Sequence, residues 1–122
     1  MRDRPTGTEL ADLVQRIEDG DGAVEVPDDA RYRELMMASA RAISERQQKT
    51  GNAPERRERD SLIQILDKDA TLAALNRALA EAVRDGRFDP GTPHSGSVRD
   101  HLWQTALDRV RESNPKVLEV KD

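Results

Sequence analysis

Two histidines, His94 and His101, are the only side chains of this sequence whose ordinary pKa lies near neutral pH, so acid–base chemistry would have to begin with them. His94 falls in the Pro- and Gly-rich string Asp89-Pro90-Gly91-Thr92-Pro93-His94-Ser95-Gly96, and His101 follows Asp100 in a helical stretch. No second titratable or nucleophilic group is fixed beside either by spacing, and Ser95 and Ser97 read as loop and cap residues. The two imidazoles are separated by a loop-to-helix boundary, without the Glu-x-x-His or His-x-x-x-His spacing that helical metal sites use. Cysteine is absent, which excludes disulfides, thiolate nucleophiles and thiolate metal sites. Gly20-Asp21-Gly22 and the glycines around His94 lack a Walker or dinucleotide fingerprint and read as turns. No catalytic residue, metal or cofactor is therefore expected. Two other groups carry recognition chemistry. Arg31, Asn76, Arg77 and Asn114 stand at or near expected helix ends; if those ends meet, guanidinium and amide groups could hold a carboxylate or phosphate. The alternative is that they tie helix termini and loop carbonyls to one another. Met36, Met37 and Trp103 are the candidates for an interaction face, because methionine adapts to varied partners and tryptophan supplies large contact area.

The elements that would position these groups are helices. Leu, Ile, Val and Phe make up 24 of 122 residues, a sparse apolar content, but the net charge of −4 does not oppose collapse and the apolar residues recur at helical spacing. Tyr32, Phe88 and Trp103 are single representatives of their kinds, so the core must be aliphatic and thin. Such a core invites a partner subunit to complete it. Basic and acidic residues, 20 against 24, are interleaved, which argues against a uniform basic face and against nucleic-acid binding. No run of about 18 apolar residues exists to cross a membrane, and the start Met1-Arg2-Asp3-Arg4-Pro5 has no apolar stretch behind it, so a cytoplasmic location is expected.

Five helices are legible, and together they predict a single all-α bundle over residues 1–122, with an irregular loop at 89–96 and a C-terminal tail at 115–122. The first is opened by the capping box Thr6…Glu9, carries Leu10, Leu13, Val14 and Ile17 on one face, and ends at Gly20. Ala23-Val24-Glu25-Val26 alternates like an extended piece without a strand partner. The second and longest is capped by Asp28, runs to about Gln48 and bears Tyr32, Leu35, Met36, Ala40 and Ile43, with Ala38 and Ala42 broadening the stripe. The third opens at Asn52…Glu55, is charged through Asp60 and turns apolar at Leu62, Ile63, Ile65 and Leu66; its first turns are expected in solvent. The fourth carries Leu72, Leu75, Leu79 and Val83 and stops at Gly86, with Phe88 folding back over its end. The fifth starts at Ser97…Asp100, carries Leu102, Trp103, Ala106, Leu107 and Val110 along it, with Leu102 expected to be buried, and ends before Pro115. The tail Val117-Leu118-Glu119-Val120 is apolar enough to dock on the bundle or on another subunit.

Several strings, in order along the chain, resemble a bacterial family of unknown function: Arg4-Pro5-Thr6-Gly7-Thr8-Glu9-Leu10, Arg31-Tyr32 leading to Met37-Ala38-Ser39-Ala40, Leu75-Asn76-Arg77-Ala78-Leu79-Ala80, Arg84-Asp85-Gly86-Arg87-Phe88-Asp89 and Ser113-Asn114-Pro115-Lys116. This sequence has Ser39 where the family pattern has Asn, and its connection from Gly20 to Pro27 is short. The resemblance implies a small helical protein encoded beside aminoglycoside-phosphotransferase-like kinases and acyl-CoA dehydrogenases. That neighbourhood implies a possible partner, not an activity; with the missing catalytic constellation and the two apolar sides of the second helix, it leads to the reading of a protein-interaction or accessory module for a kinase-like or acyl-CoA-processing enzyme, forming a homodimer, with no activity assigned. The other reading is a domain binding a small anionic ligand, or a minor enzyme, with a pocket lined by Arg31, Asn76, Arg77 and Asn114.

Overall fold

A computed structural model describes residues 1–119. Five α-helices follow one another, α1 (Gly7–Glu18), α2 (Ala30–Thr50), α3 (Ala53–Leu66), α4 (Leu72–Arg84) and α5 (Ser95–Ser113), and a 3₁₀ turn at Pro115–Leu118 closes the described chain. The architecture is all-α, with no strand among the described residues. The chain divides into two compact units: Arg2–Gly51 together with residues 112–119, and Asn52–Arg111 together with Met1.

In the unit built on α1 and α2, Thr6 caps α1 with the reciprocal capping box expected from sequence: its side chain accepts from Glu9 N, and Glu9 accepts from Thr6 N at 3.2 Å. Arg4 donates to the same Glu9 carboxylate at 2.6 and 3.1 Å, and these bonds hold its pKa down to about 2. The helix ends at Glu18, with Asp19 as C-cap and Gly20 in the left-handed region at φ 77°. The cap of α2 is Asp29, not Asp28: its carboxylate accepts from Tyr32 N at 2.9 Å. Val14 of α1 and Ser44 of α2 are buried. Gly7 lies against Ser44 and Gln47, and Glu18 pairs with Arg41, so α1 and α2 run in opposite directions. Gly7 N donates to Gln47 Oε1 at 2.8 Å. Further along the same unit, Arg2 forms a two-pronged pair with Glu112 at 2.9–3.2 Å, and Arg46 donates to the carbonyls of Glu112 and Ser113.

The unit built on α3, α4 and α5 has the aliphatic core. Leu62, Leu75, Leu79 and Val98 are its buried centre, with Ile63, Ile65, Leu66, Ala70, Leu72 and Phe88 packed around them. Thr71 caps α4 by accepting from Ala74 N at 3.2 Å, and Gly86 (φ 78°) ends it, which turns Phe88 back onto the core as its position after the stop implied. The buried face of α4 is Leu75, Leu79 and Ala82, so Val83 is turned outward at 46% exposure.

Three expectations are corrected in this unit. The first turns of α3 do not project into solvent: Pro54 and Glu58 are buried. Asn52 makes no side-chain cap bond to α3, whose entry is set by Pro54 in its first turn. The fifth helix starts at Ser95 rather than Ser97 and is rotated from the face its apolar residues suggest: Leu102 is 49% and Trp103 68% exposed, while His101 and Asp108 are buried. The physical reason is that α3 supplies polar partners to that side. Ser61 meets His101 and Arg57 meets Asp108. Pro115 follows α5 as expected; of the tail, Val117 is 67% exposed, and Val120 lies outside the described residues.

Candidate functional site

Two places in the α3–α5 unit gather side chains able to do something. The first is a buried polar cluster. Glu58 of α3 accepts from Asn76 Nδ2 of α4 at 2.8 Å on one oxygen and pairs with the α-ammonium of Met1 on the other. The same Asn76 amide also donates to Leu72 O at 3.1 Å, one turn back along α4. One turn along α3, Ser61 Oγ lies 2.8 Å from His101 Nδ1. Burial, aided by the positive charge of the Met1 ammonium, pushes the His101 imidazole below its ordinary pKa and favours the neutral ring. Further along α5, Asp108 takes Gln104 Nε2 at 3.1 Å, and ion pairs to Arg111 at 3.3 Å and Arg57 at 3.5 Å. Among the described residues no buried side-chain nitrogen or oxygen is left without a partner. A satisfied network of this kind holds helices in register.

The second place is the opposite side of α5. Val98, Leu102 and Ala106 recur at four-residue spacing along the helix, with Ser95, Arg99 and Trp103 beside them; Val83 of α4 and the loop residues Phe88, Pro90 and Gly91 form the facing wall. Together they enclose an open, mostly apolar groove of about 640 Å³. The stretch Ser95–Ala106 rises about 17 Å along the helix, or three turns. Arg99 is its one charged lining residue, and Arg87 places its guanidinium 5.7 Å from the ring centroid of the neighbouring Phe88.

The residues singled out for ligand binding are placed as follows. Asn76 is half-buried, and its amide donates to Glu58 and to the Leu72 carbonyl. Arg77 beside it is exposed. Arg31, in the first turn of α2, and Asn114, between α5 and the 3₁₀ turn, are exposed residues of the other unit. None of the four lines the groove. Of the interface candidates, Trp103 lines the groove, Met36 is 47% exposed on α2, and Met37 is half-buried. Leu102, Val83, Phe88 and Arg99 line the groove and were not among the residues singled out from sequence. Leu102 and Val83 belong to apolar stripes that sequence assigns to the core, and only the rotation of α4 and α5 turns them outward.

No cluster of three metal-ligating side chains occurs among the described residues, and no described helix is long and apolar enough to cross a membrane. No curated protein and no solved structure matches the chain. A family profile described as a domain of unknown function, DUF6285, matches residues 24–117.

Proposed function

The chain belongs to the DUF6285 family, whose function is unknown, and from that premise we propose that it is a protein-interaction module that receives an amphipathic, acidic helix of a partner in the α4–α5 groove. The observation that carries this reading is Trp103: an indole 68% exposed on the wall of an apolar groove. Tryptophan and arginine are the residue types that dominate binding energy when a partner covers them, and here they alternate along one helix as Arg99 and Trp103. An open groove three turns long suits a helix with anchors at i, i+4 and i+7 better than a small molecule, which needs most of its surface enclosed. The partner's charge follows from Arg99 and Arg87, which favour carboxylates at the groove's edge. Kinase-like and acyl-CoA-processing enzymes, implied by the resemblance, are the first partners to try.

Trp103 is the sole tryptophan, so its emission reports on the groove directly. Titration of a kinase-like or acyl-CoA-dehydrogenase-like partner should move that emission to shorter wavelength, and light scattering after size exclusion should show the complex. Leu102→Asp should abolish both changes while the circular dichroism of the free protein stays helical. Complex formation with an unchanged emission spectrum, or complex formation that survives Leu102→Asp, would remove the groove from the proposal.

A further inference from the structure

The α1–α2 unit carries a second uncovered apolar face, and its charges say what covers it. With 12 residues, α1 is about 18 Å long; with 21, α2 is about 32 Å. Since Gly7 packs at Ser44 and Gln47 and Glu18 reaches Arg41, α1 covers the C-terminal half of α2 and, among the described residues, leaves the first turns without a helical neighbour inside the unit. On those turns Tyr32 is 56%, Leu35 62% and Met36 47% exposed. Tyr32, Leu35, Ser39 and Ala42 follow one another by alternating steps of three and four, which is the seam spacing of paired helices, and Met36 and Ile43 flank them; Arg46, the next position in the row, is held by the carbonyls of Glu112 and Ser113 and closes the free face. Small residues at Ser39 and Ala42 in the middle of the seam let a second helix approach closely.

Along one edge of this seam, at seven-residue intervals, stand Arg31, Ala38 and Glu45. None of the described ion pairs or hydrogen bonds engages the side chain of Arg31 or Glu45. In an antiparallel helix pair the same edge of each helix faces itself. A two-fold axis near Ala38 then sets Arg31 against Glu45 of the second copy, twice over, with alanine against alanine between them. One row further out, Glu34 comes beside Arg41 of the second copy, whose own carboxylate partner is Glu18. A parallel pair would instead place Arg31 beside Met36 and Ala38 beside Ile43 of the second copy, and would leave both charges without a counterpart.

We propose that the α2 face made by Tyr32, Leu35, Met36 and Ser39 is the interface of an antiparallel homodimer, registered by reciprocal Arg31–Glu45 pairs. This face is distinct from the α4–α5 groove and stands without it. Light scattering after size exclusion should give twice the 13.7 kDa chain mass. Leu35→Glu, an exposed position, should yield a helical monomer. Arg31→Glu should weaken the dimer about tenfold or more, because two attractions become two repulsions, and Glu45→Arg should do the same. The double swap Arg31→Glu with Glu45→Arg should restore the wild-type dissociation constant. Trp103→Ala, on the groove, should leave the dimer unchanged. A 13.7 kDa particle for the wild type at millimolar concentration, a dimer that tolerates Leu35→Glu, or a double swap no tighter than the single ones would each overturn the proposal.

Discussion

Replacing Asn76 by leucine tests whether its amide is a structural tie or a free recognition group. Glu58 has a side chain only 6% exposed, and Asn76 Nδ2 at 2.8 Å is one of its two partners. Asn76→Leu removes that donor and leaves a buried carboxylate oxygen facing hydrocarbon, which costs about 2 kcal/mol. Glu58→Leu is milder, about 1 kcal/mol, because the Asn76 amide keeps the Leu72 carbonyl at 3.1 Å and the Met1 ammonium, on a residue 54% exposed in its side chain, returns to water. The double substitution replaces both polar partners with apolar groups of similar size, so it should come within about 0.5 kcal/mol of wild type. The coupling read from the cycle is then about 2 to 3 kcal/mol in favour of the pair, far above the value for independent sites. Urea unfolding followed by circular dichroism measures all four corners, and Asn76→Leu should also lower the thermal midpoint by roughly 7 °C. Additive losses, or an Asn76→Leu protein as stable as wild type, would refute the reasoning and return the Asn76 amide to the list of groups available to a ligand.

Three further outcomes follow from the packing. The His101 ring is held below its ordinary value of 6.5 by burial, so the unfolded chain binds its proton first; the stability it contributes is complete above that value and lost as pH falls through the lower folded one. Urea midpoints between pH 8 and 5 should therefore decline on acidification in the wild type and decline less in His101→Gln, and an equal decline in both would contradict the assignment. On α4, Leu79→Ala should cost about 2 to 5 kcal/mol and Val83→Ala less than about 1, since one is 5% and the other 46% exposed; equal losses would place the helix in a different rotation. Gly7→Ala should destabilise by about 1 kcal/mol despite the better helix propensity of alanine, because a Cβ there would stand 3.0 Å from Ser44 Cα and 2.9 Å from Gln47 Oε1. A gain in thermal midpoint on that substitution would show that α2 yields more easily than the contact distances imply.

The helices and most of their ends were legible because their signals are local. The Thr6–Glu9 box, the glycines after α1 and α4, and Pro115 after α5 act through bonds and dihedral limits within one turn, and they placed the ends of α1, α4 and α5. Where two residues could serve the same local role, the reading slipped by one or two positions: Asp29 rather than Asp28 caps α2, and α5 starts at Ser95 rather than Ser97. Of the candidate site residues, Met36 and Trp103 are exposed and Asn76 is bonded to Glu58, and neither the exposure nor that partner can be read from a local pattern, because both depend on how the helices are turned against one another.

The sequence by itself determined an all-α chain, because a 3.6-residue apolar period and paired caps need no long-range information. It also determined the absence of cysteine chemistry and of the usual metal and nucleotide fingerprints. Only the tertiary structure decided which face of each helix is covered. On α5 both faces could pack, one through Leu102 and Trp103, the other through His101 and Asp108, and hydrophobicity alone selects the first. The second is buried because Ser61 and Arg57 on α3 meet its polar groups and remove the cost of desolvating them. A polar residue's burial depends on a partner distant in sequence, and that partner is what no local pattern contains.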